Sequence, residues 1–271
     1  HRKRDENGKE SRLKSRVVAN GQRQIPGRDY QETFAPTPRA GTIRTLLAVA
    51  AARGLALAQW DFVSAFLNGK LEKPVYARPP QGVKLPRGKC WRLKKALYGL
   101  RQAGRIWSKD VAATMKKLGM HQSEADPCLF IGKDEFGTPF YLVIHVDDVI
   151  MAYNPNSAIE KTTFSQISKV YKITREGQLK WFLGTHIQRM ENGDIRIHQA
   201  KYTEEILKRF DMWNVRPIDT PAEPGNALAQ AMSKPISAEE KAALKSPAYR
   251  EIIGCLLYLT VKTRPDIAAT V

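Results

Sequence analysis

The chain has 271 residues, 42% of them hydrophobic and 26% charged, proportions of an ordinary globular protein that exclude global disorder. Its longest apolar run, Leu46–Ala52, is seven residues, far short of the roughly 20 that a membrane helix needs, and Cys90, Cys128 and Cys255 form neither a disulfide framework nor a CxxC pair, so no membrane and a reducing compartment are expected. The formal charge of +17 is concentrated: residues 78–117 hold twelve basic residues against one acid, and residues 1–28 hold nine against three, the distribution of a polyanion-binding surface rather than of lysines scattered for solubility.

At roughly 100 to 200 residues per domain, the length allows one large or two modest domains. Residues 1–11 are polar, begin without methionine and carry no apolar period, which predicts a tail on a chain cut from a longer polypeptide. Ile43, Leu46, Leu47 and Ala50 recur at helical spacing ahead of Gly54, predicting an amphipathic helix closed by a glycine. A short apolar strand, Leu55–Trp60, then delivers Asp61. Trp107, Val111, Met115 and Leu118 predict a second core helix ending at Gly119. Phe140–Val146 is a β-rich run whose one polar residue is His145; Asp147 and Asp148 follow, then Val149–Tyr153, the pattern of a hairpin with two carboxylates at its bend. Trp181–Gly184, His186–Arg189 and Ile195–Ile197 predict another hairpin, with Asn192-Gly193 as a type I′ signal. Tyr202, Ile206, Leu207 and Phe210 predict a helix, and residues 216–235, rich in Pro, Ala and Gly, read as a linker. Ser246-Pro247 opens a last helix expected to bury Tyr249, Ile252, Ile253, Leu256 and Leu257 on one face, and the run at Pro265-Asp266-Ile267 suggests that the chain stops inside a structural unit.

Two carboxylates at one turn suit a hard cation such as Mg²⁺, which takes oxygen ligands and keeps several waters. Aspartate also favours turns simply by bonding its own backbone. Asp61, at a strand end, is either a third ligand or a helix N-cap. His121, His145, His186 and His198 show no zinc-ligand spacing, so zinc is not expected.

Several ordered blocks weigh on that choice. Gln59-Trp60-Asp61-Phe62-Val63-Ser64-Ala65-Phe66-Leu67-Asn68-Gly69, Lys94-Lys95-Ala96-Leu97-Tyr98-Gly99-Leu100-Arg101-Gln102-Ala103, Val146-Asp147-Asp148 and Phe182-Leu183-Gly184 resemble, in order and spacing, the reverse transcriptase of copia-type long-terminal-repeat retrotransposons. The likeness runs from near Arg12 through Asp29–Pro36 and Thr42–Leu47 to Thr263–Ile267. It implies an α+β right-hand polymerase with fingers, a palm built on an antiparallel sheet, and a thumb. Fingers and palm would occupy 12–215, the linker 216–235 and truncated thumb- or connection-like helices 236–271, with ribonuclease H absent.

By the same resemblance Asp61, Asp147 and Asp148 converge in the palm as ligands of two Mg²⁺ ions, Mn²⁺ being the alternative, with Asp61 and Asp147 the principal pair. Phe66 would sit beneath the incoming sugar and exclude a 2′-hydroxyl; from pattern alone it reads equally as core. Lys14 and Arg16 would bind the triphosphate, where composition alone reads a solvated basic tail. Tyr98, Gly99, Arg101 and Gln102 would pack on nucleotide and template, Gly99 letting backbone approach the base pair. His145, Val146, Trp181, Phe182, Leu183, Gly184, Lys94, Lys95 and Arg105 would contact primer or template. The implied partners are an RNA or DNA template with its primer, deoxynucleoside triphosphates, and, in a polyprotein, a preceding integrase and a following ribonuclease H. The implied location is cytoplasmic, in a virus-like particle, with the nucleus as the alternative.

The chain departs from the family pattern at His145, where the family has tyrosine, at Asn20, where it has arginine, and at Gly104, where it has proline. These departures keep a second reading open, a catalytically silent nucleic-acid-binding remnant. A metal nuclease ranks behind both, because no residue stands out to activate water.

Overall fold

The structure, a computed structural model, describes residues 2–4, 10–13, 15–221, 235, 237, 239 and 247–271; Lys14 and most of the 216–235 linker lie outside them. The chain divides into two compact units, residues 1–178 and 179–271. Every ladder in both is antiparallel, so the fold is a mixed α/β one built on antiparallel sheets. Among the described residues no helix is long and apolar enough to cross a membrane.

In the first unit, β1 (Arg2–Arg4) pairs with β2 (Glu10–Leu13), within and just after the stretch read as a polar tail. Helix α1 (Ala40–Ala52) buries Leu46, Leu47 and Ala50, and Gly54 follows at φ 62°, the left-handed closure that the sequence pattern predicts. No side chain of its own caps its start. The cap comes from Asp126, only 2% exposed, whose carboxylate accepts the Arg39 N–H at 2.9 Å, the Thr42 hydroxyl at 2.6 Å and the Cys128 N–H at 2.9 Å.

Strand β3 (Ala56–Phe62) follows, then β4 (Lys70–Ala77) and β5 (Trp91–Lys95), which pair as a separate ribbon. Helix α2 (Ala103–Lys117) is followed by β6 (His121–Gln122), β7 (Leu129–Lys133), β8 (Pro139–His145), β9 (Asp148–Tyr153), α3 (Ile159–Ser168) and β10 (Ile173–Gln178). Six strands form one sheet in the order β10-β3-β9-β8-β7-β6. Because side chains alternate across a strand, Val149 and Met151 of β9 join Trp60 and Phe62 of β3, Leu142 and Ile144 of β8 and the Trp107, Val111 and Met115 stripe of α2 in the main core. Ile150 and Ala152, equally buried, take the other face, where α1 lies against β9. A sheet covered on both faces explains why β8 and β9 read as unbroken apolar runs rather than as alternating ones.

The second unit holds β11 (Trp181–Phe182), β12 (Thr185–Arg189), β13 (Ile195–His198), α4 (Ala200–Arg209) and α5 (Pro247–Lys262). Two expectations are corrected here. Arg189 pairs with Ile195, so the β12–β13 turn has five residues, not two; the Asp194 N–H bonds Asn192 Oδ1 and only Gly193 takes positive φ. The tight turn is Leu183-Gly184, between paired Phe182 and Thr185, with both residues at positive φ, as type I′ requires. On α5 the buried face is Cys255 and Leu259, packed with Ile206, Tyr202, Phe210 and Leu256, while Tyr249 and Leu257 are exposed; a 16-residue amphipathic pattern left the orientation off by one helical position.

Candidate active site

The three aspartates singled out in the sequence come together at one end of the six-stranded sheet. Asp61 is not a helix cap: it lies within β3, opposite Asp148 of β9 on one side and Thr174 of β10 on the other. The Phe62 N–H donates to the Asp147 carbonyl at 2.7 Å, which makes Asp61 and Asp148 a pair without mutual hydrogen bonds, their Cα atoms about 4.5 Å apart and side chains on the same face. Asp147 sits one position along, in the β8–β9 turn. His145 and Asp148 are paired, so that turn consists of Val146 and Asp147 alone. Val146 adopts φ 57°, a left-handed conformation that a branched side chain rarely takes. Its carbonyl accepts the Trp107 indole N–H at 2.6 Å.

Burial, then the nearby charges of Asp147 and Glu176, push the Asp148 carboxyl above the ordinary carboxylate range. Glu176, exposed on β10, is thus a fourth acid of this neighbourhood, and no spacing in the sequence ties it to the others. Such a centre suits a divalent cation, whose charge would relieve the crowding. Among the described residues no three His, Cys, Asp or Glu side chains already surround one point, so a cation held by Asp61, Asp147 and Asp148 would take part of its shell elsewhere. That fits Mg²⁺, which is commonly held by one or two carboxylates with water and substrate phosphates completing the octahedron.

Three of the candidate nucleotide contacts stack together. The Arg16 guanidinium lies 5.1 Å from the centre of the Tyr98 ring, and Tyr98 meets Phe66 edge-on at 5.1 Å. Phe66, half-buried, packs against both the main core and a smaller one formed by Ala96, Leu100 and Ala103, and with Ile144, Val146 and Trp107 it lines a cavity of about 220 Å³. The others turn to local structure. Gly99 has φ 87°, and a Cβ there would stand 2.1 Å from the Ala19 carbonyl, so a crossing of the chain over itself already requires glycine. Arg101 bonds the Gly21 carbonyl at 3.0 Å. Gln102 is buried and joins Gln24 and the Asp29 carbonyl. Arg105 pairs with Glu32 and donates to the Phe34 carbonyl. Lys94 and Lys95 are exposed on β5. Both basic segments of the sequence meet in a groove of about 930 Å³ lined by Arg16, Arg23, Arg28, Arg78 and Trp91 among others.

Trp181, Phe182, Leu183 and Gly184 lie in the second unit. Trp181 is exposed and Phe182 buried. The Leu183 carbonyl accepts the Tyr258 hydroxyl at 2.9 Å, and the Gly184 carbonyl accepts the side-chain amide of buried Gln199 at 3.2 Å. His186 and His198 face each other across β12 and β13 with ring nitrogens 2.6 Å apart. Burial, with His186 and Arg196, holds His198 below the ordinary imidazole value.

A family model described as reverse transcriptase (RNA-dependent DNA polymerase) matches residues 1–224. The chain is 34% identical over 272 residues to the retrovirus-related Pol polyprotein from transposon TNT 1-94 of Nicotiana tabacum, covering 99% of this chain and 20% of that polyprotein. It is 34% identical over 277 residues to the corresponding polyprotein from transposon RE1 of Arabidopsis thaliana, covering 100% and 18%. To the putative transposon Ty5-1 protein of Saccharomyces cerevisiae it is 29% identical over 211 residues, 77% of this chain and 65% of that protein. The chain therefore spans about a fifth of the length of these plant relatives. With a family model matched over residues 1–224 and plant relatives 34% identical across nearly the whole chain, on top of the paired carboxylates, the chain belongs to the reverse transcriptase family and is a reverse transcriptase domain of the copia type.

Proposed function

We propose that the chain extends a primer on an RNA or DNA template with deoxynucleotides, and that Asp61 and Asp147, supported by Asp148, hold the cations for this reaction. The observation that carries the reading is the β3–β9 rung that sets Asp61 against Asp148 with Asp147 at the adjoining turn. Reverse transcriptases use divalent metal ions; here we take them to be two Mg²⁺, with Mn²⁺ able to substitute. When bound, such ions activate the primer 3′-hydroxyl and neutralise the triphosphate and leaving pyrophosphate.

The chain's own residues position the reactants. Phe66, beneath the Tyr98 and Arg16 stack, would close the nucleotide pocket against a 2′-hydroxyl, with Arg16, and Lys14 beyond the described residues, on the triphosphate. Tyr98, Gly99, Arg101 and Gln102 would shape the pocket wall, Arg101 and Gln102 through the 20–29 segment they hold. The basic groove supplies the sequence-independent attraction for the phosphate backbone, joined by Lys94, Lys95 and Arg105. His145, Val146 and residues 181–184 would face the primer. In this reading 12–215 forms fingers and palm, 216–235 a linker, and 236–271 a thumb-like part. Integrase before and ribonuclease H after it in a polyprotein, and a cytoplasmic virus-like particle, are the setting we assign.

The test is extension of a primed RNA template by the full chain in Mg²⁺, with Asp61→Asn and Asp147→Asn as controls. Each substitution should abolish synthesis while barely moving template–primer affinity. Binding by the unmodified chain without metal-dependent synthesis would leave a nucleic-acid-binding remnant instead.

A further inference from the structure

The turn that carries Asp147 stands in a conformation its own sequence disfavours. Val146 is left-handed, and branched residues persist there only where their surroundings hold them. Three contacts do so, and all converge on Trp107. Its N–H donates to the Val146 carbonyl at 2.6 Å. Its ring meets Phe62 edge-on at 5.1 Å, and Phe62 in turn holds the Asp147 carbonyl through its own N–H. Tyr171 packs edge-on against both rings, at 5.1 Å and 5.6 Å, and its hydroxyl is tied back to α2 by Asp110 at 2.8 Å and Thr114 at 2.7 Å. Trp107 is 2% exposed, and a buried indole must place its N–H somewhere. Of the available carbonyls it takes the one belonging to the residue before Asp147.

We propose that Trp107 is a positioning residue of the carboxylate centre. Its N–H holds the left-handed turn that aims Asp147 and Asp148, and its ring, packed on the neighbour of Asp61, sets the separation between that turn and β3. In this role Trp107 acts through Val146 and Phe62. A side chain that merely filled the core would give its effect through packing alone, whereas this one acts through a donor aimed at a single strained carbonyl.

The test is a double-mutant cycle on the full chain, read by Mn²⁺ titration with electron paramagnetic resonance as well as by primer extension. Trp107→Phe keeps an aromatic ring and loses the donor. It should raise the Mn²⁺ half-saturation and lower kcat by about ten- to a hundredfold, the usual result of displacing a reacting group by a fraction of an ångström, with template–primer Kd unchanged. Glycine holds positive φ unaided, so in a Val146→Gly background Trp107→Phe should cost no more than about twofold, the signature of two residues acting through one element. Should Trp107→Phe not fold, 3-benzothienylalanine at position 107 keeps the bicyclic shape, lacks the N–H, and carries the same expectation. A folded variant with unchanged Mn²⁺ binding and kcat, or an equal cost in both backgrounds, would overturn the role. The proposal rests on the polymerase reading, and the two fail differently. Absence of both Mn²⁺ binding and extension in the unmodified chain defeats both, whereas an active chain indifferent to Trp107→Phe defeats only the positioning role.

Discussion

Replacing Asp148 with asparagine should stabilise the metal-free protein while crippling it. Asp61 and Asp148 oppose each other on one rung, with Cβ atoms about 5 Å apart. Two full charges at that distance repel by about 3 kcal/mol at an effective dielectric of about 20. Asp61 and Asp148 are each only half-buried, so water screens much of this, and like charges directly opposed on a sheet typically cost about 0.2 to 1 kcal/mol. Burial, then the charges of Asp147 and Glu176, also disfavour the ionised Asp148 carboxyl, and with solvent screening the repulsion relieved is about 1 to 2 kcal/mol. For a unit of 178 residues, each kcal/mol shifts Tm by about 2 to 4 °C, so the Asp148→Asn protein should melt about 2 to 8 °C higher than the parent. The measurement is calorimetry of the full chain at pH 7 in chelator and low salt. Adding about 1 M salt, where the screening length falls to about 3 Å, should shrink the difference, and saturating Mg²⁺ should stabilise the unmodified chain more than the variant. An Asp148→Asn protein that melts at or below the parent in chelator would refute the claim that the carboxylates are crowded before a cation arrives.

Three further outcomes are expected. Phe66→Val should raise ribonucleotide relative to deoxynucleotide incorporation in single-turnover extension; an unmoved ratio in a folded, active variant would make Phe66 purely a packing residue. Converting exposed Lys94 and Lys95 together to glutamine should flatten the salt dependence of template–primer binding by about 0.7 to 0.9 in logarithmic slope for each phosphate no longer neutralised, and an identical slope would assign both to solvent. His198 is depressed below its unfolded value of about 6.5, so its neutral form contributes stability that is intact above that pH and is lost as pH falls through 6.5 towards the folded value. Thermal melts at pH 7.5 and 5.5 should therefore diverge more for the parent than for His198→Gln, and parallel curves would dismiss the histidine pair as a source of acid sensitivity.

What the sequence made legible was local. The β8–β9 hairpin could be read because apolar runs flank the two aspartates, and α1 and α2 because apolar residues at helical spacing end at Gly54 and Gly119, whose backbones accept positive φ. Asp61 was recognisable as a residue but not as a strand position, since a lone aspartate after a strand looks the same whether it caps a helix or extends the ladder. Glu176 and Trp107 carry no signal at all: one reaches the acids only through β10 pairing with β3, and the other looks like any core tryptophan until its N–H is traced to Val146. The His186–His198 contact was hidden for the same reason, because a register twelve residues apart belongs to a turn whose length the Asn-Gly pair misstated.

The rung that joins Asp61 to Asp148 also sets a schedule for synthesis. Strand β3 is complete at Phe62, but its partner begins at Asp148 and its other neighbour at Ile173. At about 5 to 20 residues per second, a ribosome needs roughly 5 to 20 s to supply the first of these, and during that interval Ala56–Phe62 emerges as an apolar strand with neither edge paired. Contacts so distant in the chain also close slowly once available. A nascent chain therefore exposes an aggregation-prone segment well before it can assemble the acidic centre, so added chaperone should raise its soluble yield on expression.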